Sequence, residues 1–575
     1  MVKKVAVIGA GLSGLTSIKA CLEEGLEPTC FESSRDIGGL WRFKEEPEPG
    51  QANIYQSVVI NSSKEMMAFS DFPPPAHFPN NMHHSEVMVY LRLYAQTFRL
   101  LQHIRLQTAV VSVRPTPDFA TTGQWVVWTE VRDGPTQSHI FDAVMVCTGH
   151  YTTPHLPLKD FPGIESFEGK YFHSWEYRSF EGLQGKRVVV IGIGNSGGDI
   201  AVDVSRVAEK VFFSTRTGAW IMTRVGSGGL PRDLLGNSRM DVMKRRLFPR
   251  WINWMAEKKL NQTFDHTLYG LKPKHSFLSQ RVIVNDDLPI RIITGHIQMK
   301  PNVKSFSGSA VLFDDGSIID KVDVVVFATG YNCSFPFLPA SLQSKCSRHR
   351  LYRRVFALGL APPTLAVVGL IDGRGAINVL SEMQARWSTR VFKGLISLPS
   401  EETMTEDLEK DMAMRKDFCY EDKNPLHVDV IPYRDSLAKQ VGALPNLWWL
   451  LLTDPRLAFH VFLGPCTSYQ YRLTGPGKWD GARQAILTQW ERVFQPFQTR
   501  KTAPEPKSRP SPQRLCIMMV VFSGAALLTC CFYKICHSNV HMVQMWSGYS
   551  PVTLFRILLQ EQTLIPSGPT TEQKY

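Results

Sequence analysis

The chain has 575 residues, 43% hydrophobic and 20% charged, which is too long for one core and too apolar for a disordered or fibrous protein, so two or three packed domains are expected. Its 64 basic and 52 acidic residues leave a formal charge of +12, but the basic residues are dispersed, which suits anionic cofactors and lipid headgroups and excludes nucleic acid as a partner. The 11 cysteines contain no C-x-x-C pair and no His/Cys cluster has zinc spacing; this argues against a disulfide framework, a dithiol reductase and a metal site.

The N-terminus, MVKKVAVIGAG, lacks the shape of a signal peptide, so the body of the protein is expected in the cytosol. A strand predicted at residues 5–8 runs into a glycine turn and a helix at 12–24. Gly9 permits the turn, Gly11 lets backbone approach a pyrophosphate, and Gly14 lets helix and strand pack closely. With Ala10, Leu12 and Ser13 they form a candidate cofactor cradle at a helix N-terminus. Glu32 ends the next predicted strand, 28–31, where a carboxylate can accept both ribose hydroxyls of an adenosine and repels a 2′-phosphate. That leaves FAD or NAD. The glycine pair and tryptophan of DIGGLWRF, 36–43, favour a chain passing closely around the larger of the two.

Further along, Asn61, Ser62 and Glu65 stand in INSSKEMM, 60–67, where Ser62 and Glu65 spell a helix capping box. Strands are predicted at 126–130 and 143–147, followed by FEGKYFHSWEYR, 167–178, in which His173 and Tyr177 read as loop-fixing residues. The strand at 188–191 then opens a second cradle: Gly192, Gly194, Asn195, Ser196, Gly197, Gly198 and Asp199. The position matching Glu32 is now Thr215, followed by Arg216 and Thr217, after a strand at 211–214. Loss of the acid and gain of a guanidinium suit a 2′-phosphate, so NADPH is expected here with Arg216 as discriminator; the plainer reading of Arg216 is a solvated strand-end charge. The same residues satisfy G-x-S-x-G, a hydrolase nucleophile elbow, but no HGGG run precedes them and the first cradle would go unexplained.

Between 219 and 289 the pattern changes to Trp, Met, Arg and Lys-rich segments, read as a helical insertion in which Trp251, Trp254 and Phe264 pack on the body or face a membrane. Strands follow at 324–328 and 364–368, and FATGY, 327–331, suggests a return towards the first unit with Gly330 at its exit. Alternation of short β-branched runs with helices gives an α/β class with parallel sheets: two Rossmann-like dinucleotide-binding domains, a helical insertion and a C-terminal transmembrane helix. The expected boundaries are 1–153 and 332–445 for the FAD-binding domain, 154–331 for the NADPH-binding domain with its insertion at 219–289, and 446–500 for a helical segment. A proline-rich linker, 501–514, leads to the uncharged run at 515–533, about the ~20 residues that span a bilayer, and a tail at 534–575. Arg500, Lys501, Lys507, Arg509 and Arg514 precede that run and only Lys534 follows closely, which orients the body to the cytosol.

Phe167, Gly169, His173 and Tyr177 fit F-x-G-x-x-x-H-x-x-x-Y, and with both glycine loops, INSSKEMM, FATGY and GPGKWDGAR, 475–483, the chain from about residue 3 to 500 resembles the flavin-containing monooxygenases. The likeness is to the vertebrate microsomal, N-oxide-forming dimethylaniline class, with GLKPKH, 270–275, nearest its fifth form. The resemblance implies an endoplasmic reticulum membrane enzyme. NADPH reduces FAD, oxygen adds to give a C4a-hydroperoxyflavin, and one oxygen atom passes to soft nitrogen or sulfur, or beside a ketone, of a small lipophilic substrate. It also implies that Asn61 is the catalytic amide beside the flavin, that Leu40, Trp41 and Ser62 touch FAD, and that Asn195, Ser196 and more weakly Arg224 touch NADP. A homo-oligomer is compatible with this reading. Two others use the same motifs: an uncoupled NADPH oxidase releasing peroxide, and a non-catalytic membrane-tethered flavoprotein scaffold. Val379 stands where the resemblance leads us to expect proline, so a looser turn is expected there.

Overall fold

A parallel strand covered on both faces has no side that favours polar residues, and the continuous β-branched runs of this chain form the centres of two such sheets. The computed structural model describes residues 2–131, 134–280, 282–347, 350–417 and 426–500. In the first sheet Lys4–Ile8 lies between Glu27–Phe31 and Ala143–Val146, parallel to both, and Val5, Ala6 and Val7 have no exposed surface. Leu365–Val367 adds a further parallel strand beyond Ala143–Val146, Phe356–Ala357 and Leu351–Tyr352 extend that side antiparallel, and Ile104–Arg105 closes the other edge, making seven strands.

The second sheet is wholly parallel. Its five strands run in the order Ile297–Lys300, Lys210–Ser214, Arg187–Ile191, Val324–Phe327 and Lys170–His173. The chain passes from the first sheet to the second and back at one place, where Thr153–Pro154 pairs antiparallel with Tyr331–Asn332. Gly330, at φ +88°, makes the exit from Val324–Phe327 that FATGY suggests.

Two expectations fail. The run at 126–130 is not a parallel strand: Trp125–Val131 is the middle of an antiparallel trio with Thr108–Pro115 and Thr136–Phe141. Its Trp125 and Val127 are buried while Val126 and Trp128 are half-exposed, the alternation of a sheet wet on one face. Nor does Val379 sit in a turn. It is the third residue of the helix Ile377–Phe392 and is buried against the core of the first sheet, so the substitution falls in the first helical turn, where backbone N–H groups have no intrahelical partner and proline and valine are both tolerated.

Ile377–Phe392 packs along the cradle helix Leu12–Glu23, with Ser13 and Ser381 hydroxyls 3.1 Å apart. The insertion between Lys210–Ser214 and Ile297–Lys300 supplies helices Arg239–Leu247 and Pro249–Thr263, and the segment after 446 supplies Leu447–Thr453, Pro455–Leu463, Ala482–Leu487 and Gln489–Phe494. Phe264 is buried among His266 and Tyr269, whereas Trp251 and Trp254 are 53% and 56% exposed. Among the described residues no helix is long and apolar enough to cross a membrane; the run at 515–533, its linker and the tail lie outside the described residues.

The C-terminal helices are locked to the body by charge. Glu65 is fully buried, accepts two hydrogen bonds from Arg492, at 2.8 and 2.7 Å, and a third from the Tyr469 hydroxyl at 3.0 Å. Arg492→Met therefore strands a buried carboxylate and is expected to destabilise the fold by about 3–5 kcal/mol. Arg492→Met combined with Glu65→Leu should recover most of that loss. Thermal unfolding of the three proteins checks it.

Candidate functional site

The glycines of both cradles are demanded by contact. A Cβ on Gly14 would lie 1.9 Å from the Gly9 carbonyl oxygen, and one on Gly197 would lie 2.0 Å from that of Gly192. Gly9 and Gly192 adopt φ +98° and +109°, and a Cβ on either would meet the carbonyl oxygen of the next strand, Cys147 or Ala328. Strand, turn and helix thus close tightly in each unit, with Gly11 and Gly194 as the helix N-caps. The direction of a Gly194 Cβ is empty to 4 Å, and that of Gly11 holds only the Gly39 backbone, 3.6 Å away. These open N-termini, with the first helical N–H groups unpaired, fit pyrophosphates.

The glycine pair of DIGGLWRF folds onto the first cradle: the Gly38 N–H donates to the Ala10 carbonyl at 3.0 Å, and Leu40 and Trp41 follow in the short turn Gly39–Trp41. Glu32 is buried and joins the same turn. It accepts from the Ala10 N–H at 2.7 Å and from the Ser34 N–H and hydroxyl at 2.9 and 2.6 Å. A carboxylate accepts about four hydrogen bonds, so Glu32 keeps acceptor capacity for ribose beside these contacts.

At the second cradle Arg216 and Thr217 are exposed just beyond the strand Lys210–Ser214, and Arg216 has no hydrogen-bond or ion-pair partner among the described residues. Thr215 accepts from the Gly218 N–H at 3.1 Å. Gly198 packs beside Ile283, and the Asn195 carbonyl oxygen accepts from the Val284 N–H at 2.9 Å, so half of that amide is already engaged. Ser196 lies in the first turn of the helix Asn195–Val204. Asp199 points elsewhere: it accepts from the Tyr55 hydroxyl at 2.7 Å and from Asn285 at 2.8 Å, and burial holds its carboxyl above the usual range. Asp203, one turn on, accepts from Ser57 at 3.1 Å and from Tyr177 at 2.8 Å, which is the anchoring role read for Tyr177. His173 ends its strand, accepts from the Trp175 N–H at 3.0 Å, and is pushed down to about 4 by burial, so it is neutral.

Asn61 lies where the units meet. Its Oδ1 accepts from Arg224 at 2.8 Å, and Arg224 is itself held by Asp286 at 2.9 Å. The capping box does not form. The N-cap of Lys64–Met67 is Ser63 with no side-chain cap bond, Ser62 is buried before it, and Glu65, now only two residues past the cap, is paired with Arg492 instead. Ser63 instead donates its N–H and hydroxyl to Asp233 of the insertion, at 2.6 and 3.0 Å.

The model of flavin-binding monooxygenase-like proteins matches residues 2–536. Human flavin-containing monooxygenase 5 is 53% identical over 500 residues, 87% of this chain and 94% of the relative. Dimethylaniline monooxygenase [N-oxide-forming] 2 of Macaca mulatta is 51% identical over 503 residues, again 87% and 94%. The chain belongs to the flavin-containing monooxygenase family. Among solved structures, S-allyl-L-cysteine S-oxygenase from Allium sativum aligns with a TM-score of 0.59 at 25% identity, over 86% of this chain and 99% of that one. OTEMO, solved as a complex with FAD and NADP, aligns with 0.58 at 17% identity, over 77% and 97%, and shares the fold. This is therefore an oxidoreductase of the flavoprotein monooxygenase type, and the cofactors of its family are FAD and NADPH.

Sequence reasoning missed Asp233, Asp286 and the clasp at Tyr55 and Ser57. Asp233 and Asp286 carry no motif, and only the folded insertion brings them to Ser63 and Arg224. Burial pushes the Asp233 carboxyl up to about 6, against the lowering effect of its bonds from Ser63. A raised carboxyl favours the folded state below its unfolded value and loses that contribution as pH rises through 6. Asp233→Asn keeps an acceptor for Ser63 without the titration, so its melting temperature relative to the parent should be higher at pH 7.5 than at pH 5, measured by flavin-release thermal shift at both pH values.

Proposed function

We propose that this family member uses NADPH and molecular oxygen to place one oxygen atom on soft nucleophilic nitrogen or sulfur of small lipophilic molecules, with ketones as a further acceptor class. The observation that carries the cofactor assignment is the charge contrast between two otherwise matching cradles: a buried carboxylate, Glu32, at the first and an exposed guanidinium without a partner among the described residues, Arg216, at the second. Glu32 suits the unphosphorylated ribose of FAD and Arg216 the 2′-phosphate of NADPH. A relative 51% identical is named for forming N-oxides, and a fold neighbour at 25% identity is named for S-oxygenation, which supports nitrogen and sulfur.

When bound, the flavin supplies hydride acceptance and the oxygen activation expected above, which is why no nucleophile or acid–base dyad is required of the protein. The chain supplies binding and orientation. Gly9, Gly11 and Gly14 with Glu32, Leu40 and Trp41 hold the flavin nucleotide, and Gly192, Gly194, Asn195, Ser196 and Gly197 with Arg216 and Thr217 hold NADPH. Asn61, with Ser62 behind it, presents an uncharged amide able to donate without moving a proton to the reacting centre. The division into an FAD-binding domain at 1–153 and 332–445 and an NADPH-binding domain at 154–331 follows the two sheets.

We place the body at the cytosolic face of the endoplasmic reticulum membrane, anchored by the run at 515–533. Exposed apolar side chains support a lipid-facing surface: Trp251 and Trp254 on one helix of the insertion, and Trp448, Trp449 and Leu452, 61–80% exposed, on Leu447–Thr453. These two helices belong to a contiguous row through Arg239–Leu247 and Pro455–Leu463, with Arg250 next to Trp251 in sequence and the Lys258 ammonium over the Trp254 ring.

The test is the purified full chain. It should be yellow, bleach anaerobically with NADPH, and yield oxygenated amine or thioether in excess of hydrogen peroxide; peroxide without product would establish the oxidase reading instead. Arg216→Glu should raise the KM for NADPH about 10–100-fold, the worth of a lost charge-assisted phosphate contact, and leave that for NADH level or lower. An unchanged NADPH/NADH ratio would remove Arg216 from the site.

A further inference from the structure

An asparagine amide can turn either end towards a ligand, and the two ends have opposite chemistry: one accepts, the other donates. Asn61 is not free to choose. Arg224 is donor-only at every atom, so the Asn61 end it holds at 2.8 Å must be the oxygen. The amide nitrogen has no partner among the described residues, which leaves two N–H donors as the available end.

Arg224 is fixed in turn. Its Nη1 donates to the Asp286 carboxylate at 2.9 Å, its backbone N–H donates to the other oxygen of the same carboxylate at 2.8 Å, and Nη2 also reaches the Val59 carbonyl at 3.3 Å. Only 14% of its side chain is exposed, so its polar face is turned to protein and not to an open phosphate site. Asp286 belongs to a short segment bonded to the second cradle helix, through the Val284 N–H to Asn195 and through Asn285 to Asp199. Hydrogen bonds at both ends of the continuous backbone 284–286 therefore join the NADPH cradle helix, through Asp286 and Arg224, to the amide of Asn61.

We propose that Arg224 is a positioning residue: held by Asp286, it fixes the Asn61 amide with its oxygen inward and its N–H donors outward, so that the protein always offers a donor at the reacting centre. This rests on the reading of Asn61 as the amide beside the flavin. It replaces the phosphate contact for which Arg224 is a candidate from sequence.

Arg224→Gln tests it, because glutamine can donate or accept and so releases the choice of orientation, while Arg224→Lys retains a donor. In full-length holoenzyme we expect Arg224→Gln to raise the share of NADPH equivalents appearing as peroxide roughly tenfold, the effect of losing one charge-assisted hydrogen bond. Arg224→Lys should recover part of the coupling. The Kd for NADP⁺, read from the flavin absorbance of the oxidised protein, should stay within about twofold, less than a lost phosphate contact would give. A rise in that Kd with unchanged peroxide share overturns the proposal in favour of a phosphate role. Unchanged peroxide share in Arg224→Gln while Asn61→Leu uncouples also overturns it, and unchanged coupling in Asn61→Leu overturns the reading of Asn61 itself. Should Arg224→Gln fail to retain flavin, Asp286→Asn, which loosens Arg224 without removing it, carries the same comparison.

Discussion

The structure depends on one helix being gripped from the side while its end stays open. Asn195–Val204 offers its N-terminus to a phosphate, and its flank carries two carboxylates one turn apart that accept from Tyr55, Ser57, Tyr177 and Asn285. Tyr55 and Ser57 come from the chain that builds the first sheet; Tyr177 and Asn285 come from the chain around the second. Hydrogen bonds to charged acceptors are the stronger kind, so this clasp ties the two sheets' chain segments to one helix. Burying Asp199 costs enough to lift its carboxyl, and that cost is accepted because both its oxygens are engaged.

The stretch from Tyr55 to Asp71 is the keystone around which the other segments assemble. Tyr55 and Ser57 reach the second cradle helix, Asn61 reaches Arg224, Ser63 reaches Asp233, Glu65 reaches Arg492, and Ser70 and Asp71 reach Arg472 and Glu382. Insertion, C-terminal helices and both nucleotide units therefore all define where Asn61 sits. A short loop with almost no regular structure of its own acquires fixed geometry by being everyone's partner.

This explains which features sequence exposes. Both cradles, and the strands from Lys4–Ile8 to Val324–Phe327, were readable because local sterics and two-sided burial dictate the residues: a glycine whose Cβ would sit 1.9 Å from a carbonyl oxygen permits nothing else. The charge contrast at Glu32 and Arg216 was readable because it compares equivalent positions of a repeated unit. The capping box at Ser62 and Glu65 misled because a pattern of four residues is local, whereas Glu65 answers to Arg492, 427 positions away. The carboxylates that hold this corner were invisible for the same reason: Asp233, which accepts from Ser63, and Asp286, which holds Arg224, are ordinary carboxylates until the insertion folds.

The site that results is built from donors and fixed dipoles, without an acid poised to give up a proton. His173 is neutral, Asn61 is an amide, and Asp286 is neutralised by Arg224. A reaction whose oxidising power is carried by a bound cofactor is harmed by stray protons and water more than it is helped by general acids. Asp233 is the exception. Bonded to the Ser63 N–H and hydroxyl, with a carboxyl lifted to about 6 by burial, it is a titrating group held on the loop that carries Asn61.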